Sequence, residues 1–249
     1  MLIGLAAGLL SGGFGVGGGI LLVPLLLAVG MDRHRAHATS LASIFPIAAA
    51  GAISFALSGE VSLGLGVAVG VGGVVGSMGG AALMNRLSTR TLSIFFGLVI
   101  LGAGIRMIFS TDPLPGASDF GELALVFIAF GIGLVSGFFA GVAGIGGGIV
   151  IVPATVLLLG LTQHEAQGTS LLAIILTSIA ATIINRKNRR VNLRDALVVG
   201  IGGVIGSVFA ARVALGVDGG LLSALFGGFA VLIALRTLYR AFTTESQPA

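Results

Sequence analysis

The sequence has no cysteine and no tryptophan, a single tyrosine, and charge on only 9% of its 249 residues. Each shortage closes a class of function. Without cysteine there is no disulfide, no thiolate nucleophile and no sulfur-ligated metal. An ordinary soluble domain is about a quarter charged, whereas here 56% of residues are hydrophobic and mean hydropathy is +1.14. So few polar residues cannot cover an aqueous core of this size, and lipid has to solvate much of the exterior. The net charge of +4 would suit nucleic acid, but the basic residues stand at the ends of apolar runs. That placement reads as membrane topology, and no nucleic-acid partner is expected. No Walker lysine follows either glycine run, so ATP hydrolysis has no support. Gly13-x-Gly15-x-x-Gly18 spells a dinucleotide fingerprint but follows no strand. Residues 1–12 lack a basic start and a cleavage site, so the first segment is expected to stay in the membrane.

What the chain does have is a repeat. Residues 8–24 align without gaps to residues 137–153, a shift of 129. Each copy carries Gly-x-Gly-Gly-Gly followed by Val-Pro: Gly15, Gly17, Gly18 and Gly19 with Val23-Pro24, then Gly144, Gly146, Gly147 and Gly148 with Val152-Pro153. After one inserted residue the shift becomes 130 and pairs His34 with His164, Thr39-Ser40-Leu41 with Thr169-Ser170-Leu171, and Arg106 with Arg236. The run from Gly70 to Ser77 recurs from Gly200 to Ser207. The organisation expected is an N-terminal transmembrane repeat over 1–109, a linker loop over 110–120 carrying Pro113 and Pro115, and a C-terminal transmembrane repeat over 121–242.

Three spans per half approach the 20 or so apolar residues that a bilayer core demands: 36–57, 61–84 and 89–109, then 166–186, 192–213 and 219–240. The first segments, 1–29 and 122–159, are broken by glycine. If each were a single crossing, the repeats would be parallel and the thirteen basic residues would divide eight to five between the two sides. If each enters and returns on one side, the repeats are inverted. Then all of the thirteen Lys and Arg except Arg106 and Arg212 lie inside, as the positive-inside rule prefers. The expected fold is therefore all-α, a polytopic helix bundle of two inverted repeats, each with a Gly-broken re-entrant first segment. Both termini are expected in the cytoplasm, with 122–142 long enough to cross fully.

Irregular backbone at membrane depth is tolerated only inside protein or beside water. The glycine runs thus belong inside, where open N–H groups and the positive ends of the helices that follow suit an anion. Gly17, Gly18, Gly19, Gly146, Gly147 and Gly148 are candidate substrate-lining residues whose backbone angles should resist a branched side chain. Thr39, Ser40, Thr169 and Ser170 are placed at the starts of the next helices, where their hydroxyls either cap the helix or bind a substrate oxygen. Thr177, Ser178, Thr182 and Asn185 could form an inward stripe, though such groups also bond back to their own helix. By contrast Gly72, Gly76 and Gly80, matched by Gly202, Gly206 and Ala210, read as a packing ridge. His34, His37 and His164 read as solvated, and Arg106 and Arg236 as snorkelling or as anion attraction at a mouth. No acid or histidine lies deep in a span, so no catalytic set, metal or cofactor is expected and the chain is not read as an enzyme.

The stretch Ser11 to Gly19 with Val23-Pro24, its copy from Ala140 to Gly148 with Val152-Pro153, and the two Thr-Ser-Leu sites resemble the TauE/SafE family of sulfite exporters and probable membrane transporters. The likeness runs from Gly4 to Phe242, with one departure: the glycine before Thr-Ser is Gly168 in the second copy but Ala38 in the first. The resemblance implies a secondary carrier in the cell inner membrane whose substrate is sulfite, a sulfonate or a related organosulfur anion. An anion channel of the same architecture, or a non-transport membrane subunit of a larger complex, would share these features.

Overall fold

A computed structural model describes residues 1–83, 89–110, 121–143, 147–187 and 193–243. Among the described residues the chain forms ten helices and no strand: α1 Leu2–Phe14, α2 Gly19–Ala28, α3 Arg33–Leu57, α4 Leu63–Leu83, α5 Thr89–Phe109, α6 Glu122–Ala143, α7 Gly148–Leu159, α8 Gln163–Lys187, α9 Leu193–Leu215 and α10 Gly219–Thr243. Six of the described helices, α3, α5, α6, α8, α9 and α10, are long and apolar enough to cross a bilayer. With α1 of 13 residues and α2 of 10, neither helix at about 1.5 Å per residue spans a core about 30 Å thick.

Helices α3 and α8 form the centre. The start of α8 lies against the end of α3, where the Thr169 hydroxyl accepts from the Ser62 N–H at 3.0 Å. At the opposite end Arg35 meets Asp195 at 3.7 Å, bringing the starts of α3 and α9 together. The outer pairs exchange halves: α1 packs on α9, and α4 on α6. These are the glycine seams. A Cβ on Gly8 would overlap the Gly203 carbonyl, one on Gly12 the Ser207 carbonyl, and one on Gly137 the Gly73 carbonyl. The expected ridge packs in the same way, Gly72 and Gly76 against the Phe130 and Leu134 carbonyls, and Gly202 and Gly206 against the Met1 and Leu5 carbonyls. Close backbone approach of this kind gives helix association in lipid its van der Waals contact.

The reverse faces carry large apolar side chains at helical spacing, Val67, Val71 and Val75 on α4 and Leu197, Ile201, Ile205 and Phe209 on α9, all exposed. In a soluble protein such faces would be a liability; in a bilayer they meet acyl chains. Buried side chains divide into two clusters. One, around Phe55, Leu171 and Val69, holds α3 and α8 to the outer pairs. The other, around Phe96, Ile149 and Phe226, holds the α5–α10 pair to the glycine breaks and to α7.

The helix caps fall elsewhere than the Thr-Ser pairs. Asp32 caps α3, its carboxylate accepting from the Arg35 N–H at 3.0 Å. Thr162 and Glu165 close a reciprocal box on α8, at 2.9 and 3.2 Å. Thr39-Ser40 and Thr169-Ser170 therefore stand well inside their helices, which removes the capping alternative for all four.

Candidate functional site

The first glycine break rests on left-handed backbone. Gly15, Gly17 and Gly18 have φ of 70°, 76° and 72°, the left-handed region that side-chain-bearing residues avoid. Gly19 then opens α2. The second break differs at the position where it is described: Gly147 has φ of −68°, an ordinary helical angle, so the expected backbone resistance to substitution does not hold there. Gly148 opens α7, and Gly144 and Gly146 lie outside the described residues.

The two breaks touch. A Cβ on Gly148 would lie 2.6 Å from the Val16 Cα and 2.8 Å from the Gly15 carbonyl oxygen, so only glycine lets α7 start there. In α2 the N–H ladder begins with Leu21 and Leu22 donating to the Gly18 carbonyl, and in α7 with Val150 and Ile151 donating to that of Gly147. The N–H groups of Gly19, Ile20, Gly148 and Ile149 precede those ladders, at the positive ends of two helices.

The two Thr-Ser pairs are not equivalent, and the second reaches this junction. The Ser170 hydroxyl donates to the Gly15 carbonyl at 2.8 Å, tying α8 to the first break across 155 residues of sequence. Thr169 is taken up by Ser62. Their counterparts Thr39 and Ser40, at 0% and 1% exposure, have no hydrogen-bond partner among the described residues. Gln167, Ser11 and Ser207 are fully buried and equally unpartnered. Unpaired buried polar groups are costly and uncommon in native cores, and of this set Gln167 lies directly against Gly15 of the first break.

Gln167 was a residue the sequence could have given. The 130-residue register pairs it with His37, two positions ahead of Thr-Ser in both copies. His37 lines a cavity of about 400 Å³ between α2, the start of α3 and α10, together with Gly19, Pro24, Leu27, Arg236, Thr237 and Arg240. The cavity leads from two guanidinium groups to the first residue of α2.

The other polar candidates are accounted for locally. Thr177 and Ser178 bond back to the Ile174 and Ile175 carbonyls at 3.1 and 3.0 Å, so they form no free stripe with Thr182; the Asn185 side chain lies outside the described residues. His164 is half-buried rather than solvated, its Nε2 3.0 Å from the Ala214 carbonyl oxygen; the His34 side chain is outside the described set. Among the described residues no three His, Asp or Glu side chains gather as metal ligands.

Six apolar spanning helices, two half-length helices meeting at broken starts, and a cationic cavity reaching that junction define a multi-pass membrane protein of transporter type. The family model described as Sulfite exporter TauE/SafE matches residues 1–107 and 128–249, and the chain belongs to that family. A probable membrane transporter protein of Xylella fastidiosa strain Temecula1 is 29% identical, the alignment covering 98% of this chain and 94% of the relative. Probable membrane transporter proteins of Bacillus subtilis are similar too: YunE, 27% identical over 86% of each chain, and YtnM, 29% identical over 95% of this chain and 80% of its own. No solved structure matches.

Proposed function

We propose that the chain is a secondary transporter for sulfite, sulfonates or related organosulfur anions in the cell inner membrane, built from inverted repeats with both termini cytoplasmic. The observation that carries this reading is the contact of the two glycine breaks, Gly148 against Gly15 and Val16. It brings together two helix starts, with Gln167 against Gly15 and the Ser170 hydroxyl on the Gly15 carbonyl; the Thr39 and Ser40 hydroxyls are assigned to the same site by the repeat. N–H groups, hydroxyls and an amide together suit a compact anion with several acceptor oxygens. Gly17, Gly18, Gly19, Gly146, Gly147, Gly148, Thr39, Ser40, Thr169 and Ser170 are the proposed substrate-lining set, with Ser170 also holding the junction closed.

The inverted relation draws support from direction. Helix α8 begins where α3 ends, and α9 begins beside the start of α3, so copies in the two halves run oppositely. The re-entrant hairpin draws support from α1, which runs parallel to α9 through Gly4, Gly8 and Gly12, while α2 leads back to the start of α3. The family name selects sulfur anions over phosphate or carboxylates.

The test is reconstitution. Proteoliposomes loaded with sulfite or thiosulfate should accelerate uptake of the labelled anion by counterflow, and should not do so for sodium, potassium or glucose. Saturable counterflow identifies a carrier. Uptake of a cation or neutral solute in place of sulfur oxyanions would overturn the anion assignment.

A further inference from the structure

The two halves match in sequence but not in exposure. Each residue lining the α2–α10 cavity has a counterpart one repeat away, on α5, α7 and α8: Pro153 for Pro24, Val156 for Leu27, Gln167 for His37, Arg106 for Arg236, Met107 for Thr237. Leu27 is 39% exposed and Val156 is 1% exposed; Pro24 is exposed and Pro153 buried; His37 is half-buried and Gln167 is at 0%. Met107, Ile149, Val152, Val156 and Ala166 pack into one cluster where the other half has its cavity. One end of the pseudo-symmetric pair is open and the other is shut.

Gln167 is the second, independent sign. Its side-chain oxygen and nitrogen are both buried without a partner among the described residues, while its sequence counterpart His37 faces the cavity. A buried amide with nothing to bond is costly in a core that never changes. It is economical if the group is wet in another state.

We infer that the structure is one of two exchanging end states and that Arg106 with Gln167 is a second anion site, the mouth opposite the one that Arg236 lines with His37. Resting on the transporter reading, this gives each mouth a guanidinium to draw the anion in and a polar side chain to pass it toward the glycine junction. The α5–α10 pair moves against the central bundle, so α2 closes on α10 as α7 parts from α5. An equal exchange is available because the two packings use matched residues.

The chain has no native cysteine, so Leu27→Cys and Val156→Cys each present one thiol to an impermeant maleimide. In full-length protein in oriented vesicles, Leu27→Cys should label rapidly from one side and Val156→Cys more slowly, from the other side only. External methanesulfonate on the Val156 side, which unlike sulfite does not add to the maleimide, should protect that thiol, and Arg106→Gln should remove the protection. Gln167→Leu should raise the melting temperature and slow Val156→Cys labelling about tenfold, the shift that about 1.4 kcal/mol makes in a two-state equilibrium. A purely structural glutamine would change melting without changing labelling. Labelling of both thiols from one side would overturn the two-mouth inference, as would a Val156→Cys protein that transports but never labels. If neither sulfite nor thiosulfate is transported and methanesulfonate does not protect while labelling still falls on opposite sides, the substrate reading fails and the two mouths stand.

Discussion

Gly18 and Gly147 hold equivalent places in the two breaks, yet alanine should affect them very differently. Gly18 sits at φ 72°, where a Cβ costs about 1–2 kcal/mol, and that Cβ would lie 2.7 Å from the Ala7 carbonyl oxygen. Crowding in a packed interior adds about 1–3 kcal/mol, for a total of about 2–5 kcal/mol. Gly147 sits at φ −68°, and its added Cβ would meet only side-chain atoms, of Ser136 at 3.3 Å and Ile151 at 3.4 Å. There the loss of unfolded-chain freedom returns about 0.4–1 kcal/mol against a small contact adjustment. At about 2–4 °C per kcal/mol, Gly18→Ala should lower the melting temperature by about 4–20 °C and Gly147→Ala should leave it nearly unchanged. With no tryptophan and one tyrosine, intrinsic fluorescence reports poorly, so far-ultraviolet circular dichroism in detergent is the measurement. Equal losses at the two positions would refute the reasoning, because they would mean that the breaks share one backbone conformation.

Ser170→Ala should destabilise by about 1–3 kcal/mol, since it strands the buried Gly15 carbonyl, while Ser40→Ala, which removes an unpartnered hydroxyl, should leave melting unchanged or raise it; sulfite affinity measured by counterflow should fall in both. Asp32→Ala and Thr162→Ala should each cost about 1 kcal/mol by loss of a helix cap and leave the affinity of the transported anion intact, and a change in affinity would place the caps in the site. Cysteines at Ser58 and at Asn188, which lies outside the described residues, should label from opposite membrane faces, and same-side labelling would sink the inverted repeats.

The spans were legible because each is an apolar run of nearly bilayer length, and the observed α3, α5, α8 and α10 begin and end within a few residues of the expected bounds. Doubling of the Gly-x-Gly-Gly-Gly motif located both breaks. Other features were hidden for physical reasons. The repeated Thr-Ser pairs drew attention from the caps, which belong to Asp32 and to Thr162 with Glu165. Gly147 could not be told from Gly18 by letters, because a glycine's φ is set by the chain that packs on it. The burial of Gln167 is not legible in sequence, because a polar residue early in a helix looks solvated until the neighbouring helix covers it. The cavity between α2 and α10 follows from how far two helices stand apart, a property of state rather than of composition.

Charge completes the physical picture. Arg236 and Arg240 line the open cavity, Arg106 takes the matching place in the other half, and the described junction between Gly15, Gly148 and Ser170 carries no basic side chain. A lysine or arginine there would hold an anion strongly in a low dielectric and slow its release. N–H groups, hydroxyls and helix ends supply a weaker, distributed attraction that costs no permanent buried charge. On the proposed transporter reading, cations at the rims would raise the local anion concentration, where water still screens them. Division of labour between charged mouths and a neutral, dipole-lined centre suits turnover, because binding at the centre need only exceed the cost of shedding part of the anion's hydration shell. Part of the content of 43 glycines has a place in the same picture. At the α1–α9 and α4–α6 seams they let backbones touch, and at the breaks they let backbone stand where a side chain would otherwise cover the N–H groups.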